Sequence, residues 1–217
     1  MGFTRAEPIE MLFGSIQLTK TSPGNMVVLC EGRKGEGFNI CEICAAGVKP
    51  NELKKSHKTP FGTVCQGNIQ RGISLGHEFA TDVLRMQFLT RPTVMDLEPI
   101  WFAYSLAYAV VEGAAEILEV TLYDLNATVA YGSDHFIPPI ILYDNVPGGA
   151  GLVARLEEKD ILRRTLGSAL TRVGGACKCG EDTSCYGCLR SYRNQFAHQN
   201  LRRGPVMHYL EMLLANW

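Results

Sequence analysis

The chain of 217 residues has no apolar run long enough to span a bilayer: its most apolar stretch, residues 101–111, falls short of the roughly 20 residues required and runs on into Glu112 and Glu116. It has no excess of charge of either sign, since 21 basic and 22 acidic residues nearly cancel, so attraction to a polyanion must come from where charges sit and not from their sum. It lacks an internal repeat and a low-complexity tract, which excludes solenoids and fibrous arrays. No basic start, apolar stretch and small-residue cleavage site open the sequence, so the expectation is a cytoplasmic protein without a secretory signal or membrane partner. Nucleotide motifs are missing as well: no GKS or GKT follows its glycines, there is no GxGxxG, and there is no Ser, His and Asp elbow.

What is present is cysteine. Eight of them in a reducing compartment, six in close pairs, point to metal ligation before disulfides. Cys177, Cys179, Cys185 and Cys188 form CxCx5CxxC, two pairs either side of a short loop holding Gly180, and four thiolates can close on a tetrahedral ion at about 2.3 Å. Such a closed site is structural, because a hydrolytic zinc keeps one position for water. Iron–sulfur clusters take the same ligands, and four free thiols are the other alternative. An earlier group, Cys41, Cys44, His57 and Cys65, has the spacing of a second Cys3His site, with Cys30 as a possible substitute for His57 or with no metal at all. Metal removal is expected to unfold at least residues 177–203, since structural zinc contributes about 10 to 16 kcal/mol.

The fold class expected is α+β, a mixed sheet with packed helices and one or two zinc knuckles. Residues 9–20 and 26–30 read as strands joined by a TSPGN turn, with another strand at 38–40; residues 41–76 show no periodicity and need a metal to order them. LGHEFATDVLRMQF, residues 75–88, alternates like a strand, with a helix as the competing reading. Residues 105–118 form a helix, 120–125 and 140–143 buried strands, 152–173 a helical pattern after a glycine loop, and 206–216 a closing amphipathic helix.

Between Thr183 and Leu210 there is no Asp or Glu, while Arg190, Arg193, Arg202 and Arg203 stand among Tyr186, Tyr192, Phe196, His198 and His208. Arginine grips phosphate bidentately and aromatic rings stack on bases, so the segment, Tyr192 included, suits single-stranded or distorted DNA; a solvated surface beside a zinc knuckle is the plainer alternative. In ILYDNVPGGAGLVARL the amides after Pro147 offer an anion site, but a tight turn capped by Asp144 or Asn145 explains the glycines better. His77, Glu78, Asp82 and Asp144 compose, on paper, a metal-dependent nuclease site.

LYDNVPGGAGL, the CxCx5CxxC cluster and CLRSYRNQFAHQNLRRGPVMHYL together resemble the MrfA zinc-binding domain family, found at the C-terminal end of MrfA-type repair helicases and in the DrmB subunit of the DISARM anti-phage system. FNICEICAAG, HKTPFGTVC and LGHEFATDVLRMQF extend the resemblance from about residue 38 to the end, which divides the chain into a β-rich segment, 1–37, and a domain, 38–217, or leaves one domain over 1–217. The resemblance implies a helicase accessory domain that binds zinc through its four cysteines, contacts DNA in repair or anti-phage defence, and relies on a motor in cis or in trans. Without a Walker A lysine or DExH box the chain itself is not expected to be an ATPase, and no catalytic residue is assigned. Two rivals remain: a docking module that holds a helicase partner through the apolar helix 105–118 without touching DNA, and the nuclease.

Overall fold

The computed structural model describes residues 8–32, 35–49, 56–93, 96–132 and 134–217; of the expected β-rich opening, residues 1–7 and 33–34 lie outside these, as do 50–55 of the cysteine-rich stretch. The class is α+β, with nine strands, β1 (Ile9–Phe13), β2 (Ile16–Cys30), β3 (Phe38–Cys41), β4 (His57–Lys58), β5 (Val64–Cys65), β6 (Ile69–Ile73), β7 (Leu75–Phe88), β8 (Leu125–Val129) and β9 (Ile140–Asp144), and three α-helices, α1 (Pro99–Leu118), α2 (Lys159–Val173) and α3 (Arg203–Ala215), among the described residues. Two compact units emerge: residues 1–24 with 80–217, and residues 25–79. Residue 37, the boundary expected from sequence, falls inside the second of these.

The larger unit is built on a sheet of order β1-β2-β7-β9-β8. β1 and β2 form a hairpin closed between Phe13 and Ile16, where Gly14 supplies the positive φ of the turn. The turn expected at TSPGN is therefore a misplacement: β2 runs through it, and the chain reverses one short loop earlier. Residues 75–88 are a strand: it pairs antiparallel with β9 from Val83↔Tyr143 to Met86↔Ile140, and Leu84, Met86 and Phe88 alternate into the core. β8 pairs antiparallel with β9 from Leu125↔Asp144 to Val129↔Ile140. The strand expected at 120–125 thus begins only at its last residue, since Asp124 accepts the Thr121 amide and hydroxyl and folds 121–124 into a turn.

Pro99 opens α1 at a position where a missing N–H costs nothing, and Glu119 closes it in the left-handed conformation. Phe102, Leu106, Val110 and Leu118 of α1 share one buried cluster with Leu84, Leu125, Ile140 and Leu142 of the sheet and Leu162 and Leu166 of α2. Each such side chain contributes about 1.5 to 3 kcal/mol of burial. Gly113 lets α2 cross closely, for a Cβ there would stand 2.4 Å from the Thr165 carbonyl oxygen. α1 is consequently consumed by its own core, and a docking role for its apolar face is corrected: residues 102–107, 109–111 and 113–115 are all buried.

In the unit of residues 25–79, β3 pairs antiparallel with β6 and β4 with β5, two small ribbons. No helix among the described residues is long and apolar enough to cross a membrane.

Candidate metal centres

In the smaller unit, β3 ends at Cys41 and the chain turns tightly, the Cys41 N–H donating to the Ala46 carbonyl and the Ala45 N–H to that of Cys41. That turn carries Cys44 back beside Cys41, while the β4–β5 hairpin sets His57 opposite Cys65 in register. The four ligand atoms of Cys41, Cys44, His57 and Cys65 all lie within 4.8 Å of one another. Cys41 Sγ is 3.8 Å from Cys65 Sγ, and Cys44 Sγ 3.2 Å from His57 Nε2. Tetrahedral ligation by sulfur at 2.3 Å requires an edge of about 3.8 Å, whereas a disulfide needs about 2.05 Å. The spacing is that of ligands around one small ion, and all the cysteines are free. Cys30, offered as a substitute for His57, is exposed and stands outside the group.

Cys177, Cys179, Cys185 and Cys188 converge likewise, with sulfur separations of 3.4 Å (177 to 179), 3.8 Å (179 to 188) and 3.9 Å (185 to 188). Lys178, in the left-handed region, lets two thiols so close in sequence face the same point. Ligands this close fit a single ion, whereas a multi-iron cluster would hold its cysteines around a larger body.

Both tetrads share a local device. The amide two residues after a ligand donates to its sulfur: Ile43 to Cys41, Gly67 to Cys65, and Gly187 to Cys185, at 3.3 to 3.4 Å. Gly67 and Gly187 leave room for it, since a Cβ would stand 2.5 Å from Cys41 Sγ in the first case and 2.9 Å from Cys177 Cβ in the second. Such donors stabilise a thiolate, the form that binds metal. The Cys44 amide, followed by that of Ile43, brings the Cys41 thiol down to about 6 against the opposing effect of burial. The Cys179 amide brings Cys177 down to about 7. Burial instead pushes Cys188 up to about 12 and raises Cys44 and Cys179. Cys41 and Cys177 are therefore the thiols poised to be thiolate near neutral pH, while Cys44, Cys179 and Cys188 give up protons on binding a cation.

The structure assigns the four arginines of the acid-free segment unequal positions. Arg203 is only 7% exposed; its Nε and Nη2 donate to the Cys179 carbonyl at 3.0 and 2.8 Å, and its Nη1 to the Val173 carbonyl at 3.0 Å. It ties the metal loop to the C-terminal carbonyl of α2, where a cation also meets the negative end of the helix. The expectation that it faces nucleic acid is corrected: its donors point inward. Arg190 is half-buried, its Nε on Ser184 Oγ. Arg202 donates from Nη1 to the Gln199 carbonyl. Arg193 is exposed, donates to the Leu122 carbonyl and lies over the Tyr123 ring, 5.6 Å from its centroid.

A short 3-10 helix, Tyr192–Ala197, shapes this surface. Buried Asn194 accepts from the Ser191 amide and donates to the Leu189 carbonyl, so Tyr192 and Phe196 are turned outward, Tyr192 83% exposed. Tyr123, Tyr186 and Phe196 are exposed as well. Tyr123 escaped the sequence reading because 120–125 looked like buried strand.

The glycine loop closes on the protein's own carboxylates. Asp144, fully buried, accepts from the amides of Ala150, Leu152 and Val153 at 2.8 to 2.9 Å, and Asp82 accepts from that of Gly151 at 2.9 Å and from the Ser22 hydroxyl. The anion reading is thereby overturned in favour of the capped turn. Asp82 and Asp144 are occupied as hydrogen-bond acceptors, and the two tetrads are the only groups of three or more His, Cys, Asp or Glu gathered as metal ligands among the described residues. The nuclease arrangement with His77 and Glu78 has no counterpart.

Comparison with known proteins gives these features relatives. Residues 106–189 match the family described as MZB, MrfA Zn-binding domain. The Druantia protein DruE of Escherichia coli (strain UMEA 4076-1) is 30% identical over 194 residues, an alignment taking in 77% of the chain and 10% of that protein. The chain thus spans about a tenth of the length of the curated relative it matches. A crystal structure of the DUF1998 helicase MrfA bound to DNA superposes with a TM-score of 0.53 at 12% identity, over 98% of the chain and 24% of that helicase, a likeness of fold.

Proposed function

From the match of residues 106–189 to the MrfA Zn-binding domain and from two tetrads positioned to hold zinc, we propose that the chain is the zinc-bearing accessory part of a helicase system, contacting DNA in anti-phage defence or repair. Both tetrads are closed ligand sets with no position for substrate water, so the metal shapes a surface and performs no chemistry. The cysteines and His57 are the ligands; the motor acts in cis or in trans.

One observation carries the DNA contact. Directly after the last cysteine of the second tetrad, Tyr192, Arg193 and Phe196 project outward from a backbone fixed by Asn194, in a stretch without a single acid. Stacking rings and guanidinium groups on a preformed scaffold are what single-stranded DNA binding uses. Arg190, Arg193, Arg202 and Tyr192 form the contact; Arg203 holds the scaffold. DruE is named a Druantia protein, and MrfA, whose zinc-binding domain gives the matched family its name, is a helicase seen bound to DNA, which supports the same reading.

The test is fluorescence anisotropy with labelled single-stranded DNA across a salt series. Three phosphate-bound arginines predict a slope of log affinity against log salt of roughly −2 to −3. Substituting Arg190, Arg193 and Arg202 by Gln should flatten it; a wild-type protein with no salt dependence, or no binding at all, would sink the reading.

A further inference from the structure

The β4–β5 hairpin of the smaller unit is built like a finger with a metal-ligand tetrad at its base. His57 and Cys65 face each other in register at the open end, and both belong to the first tetrad. Lys58 and Val64 form the next pair. Above them the loop is closed tightly: the Thr59 amide donates to the Thr63 carbonyl at 2.8 Å, the Thr63 amide to Thr59 Oγ1 at 3.1 Å, the Gly62 amide to the Thr59 carbonyl at 2.9 Å, and the two threonine hydroxyls meet at 2.8 Å. Gly62 takes the positive φ that the turn needs. At the summit stands Phe61, 94% exposed, the barest large apolar side chain among the described residues.

A phenylalanine held so far into water by a rigid loop calls for a partner. In sequence the finger lies within a second acid-free stretch: no Asp or Glu occurs from Leu53 to His77, while Lys54, Lys55, Lys58 and Arg71 do. The partner's chemistry is thus a flat apolar face next to negative charge. We infer that Phe61 is an aromatic wedge that stacks on a nucleic-acid base, at an unpaired position or on the last pair of a duplex, with Lys58 beside the phosphates. This rests on the reading that the chain contacts DNA, and gives that contact a second foothold. An anionic lipid surface shares the charge, but membrane insertion gains from several neighbouring apolar side chains, and the tip offers one ring among threonines and a glycine. One ring matches one base face, and a clamped loop spares the ordering cost that stacking would otherwise carry.

The experiment uses the full zinc-loaded chain and a DNA junction carrying 2-aminopurine at the first unpaired base. Wild-type protein should change its fluorescence, Phe61→Ala should abolish the change and weaken junction binding about ten-fold, near the loss expected for one stacked base. Phe61→Trp should restore both. Zinc content and circular dichroism identical to wild type establish that the finger is intact. An unchanged 2-aminopurine signal and affinity in Phe61→Ala, with binding still lost on replacing Arg190, Arg193 and Arg202, overturns the wedge and leaves the earlier reading standing. The reverse pattern keeps the wedge and overturns the earlier surface, and failure of wild type to bind DNA overturns both. Sedimentation with phosphatidylserine vesicles that depends on Phe61, without an effect on DNA, also overturns the wedge.

Discussion

Cys41, Cys44, His57 and Cys65 lie in a unit where Cys41, Cys65, Ala46 and Gly67 are the only buried residues among those described, whereas Cys188 packs with Leu189, Ala197 and Leu201 into the large cluster built on α1 and the sheet. The support around the ligands differs in the same sense. Arg203 holds the Cys179 carbonyl, but His57 Nδ1, buried, has no hydrogen-bond partner among the described residues, although metal-bound histidines usually donate from that second nitrogen. In the first unit the ion stands in for the hydrophobic core; in the second it fastens a loop to a core that exists already. The same ligand chemistry therefore carries different shares of the folding free energy.

Metal removal gives the largest effect and the sharpest break between the two. With a strong chelator, hydrogen exchange followed by mass spectrometry should show residues 25–79 losing all protection, because about 10 kcal/mol or more of metal binding has no apolar burial to replace it. Residues 175–203 should exchange faster while α1, α2 and β9 stay protected. Equal loss in both units would erase the distinction. Next in size is Gly67→Ala, whose Cβ collides with a ligand sulfur: zinc stoichiometry should fall from two to one per chain, with the larger unit still folding cooperatively and losing no more than about 2 kcal/mol. Gly187→Ala, meeting a Cβ at a less severe distance, should lower zinc affinity at the second tetrad without emptying it.

Arg203→Ala should then cost the larger unit about 2 to 4 kcal/mol in urea denaturation, since the Cys179 and Val173 carbonyls each lose a donor, and Arg203→Lys should recover less than half. First-tetrad occupancy should not move; if it did, the arginine would not belong to the second site alone. Tyr192→Ala is the smallest in stability, within about 0.5 kcal/mol for an exposed side chain. Its effect belongs to single-stranded DNA affinity.

Both ligand sets were legible from spacing, because metal geometry requires close pairs of a few residue types and little else produces them. α1 was legible over 105–118 from apolar residues at helical spacing, though it begins at Pro99, and β9 from its apolar, β-branched run. What escaped depended on distant partners. Arg203 carries the same letters as Arg193, and only the carbonyls arriving from residues 173 and 179 turn one inward. β2 passes through Pro23 and Gly24 against local propensity because Ile16 and Leu18 are pinned in the core and β7 lies alongside. Phe61 looked like one more apolar residue in a region without periodicity, and its exposure follows from a turn whose ends two ligands define.

The chain leaves the larger unit within β2 and re-enters it within β7, strands that are neighbours in one sheet. Topologically, residues 25–79 are a long excursion between two positions about 4.8 Å apart, the usual spacing of paired strands. When that excursion is an open coil of about 55 residues, joining its ends costs the sheet about 2 kcal/mol more than a four-residue turn would. Folded around an ion, the excursion behaves as a short link. Zinc bound far along the sequence thus lends stability to the β2–β7 pairing through chain entropy alone, and replacing 25–79 by a tight turn should leave a sheet that closes without any metal there.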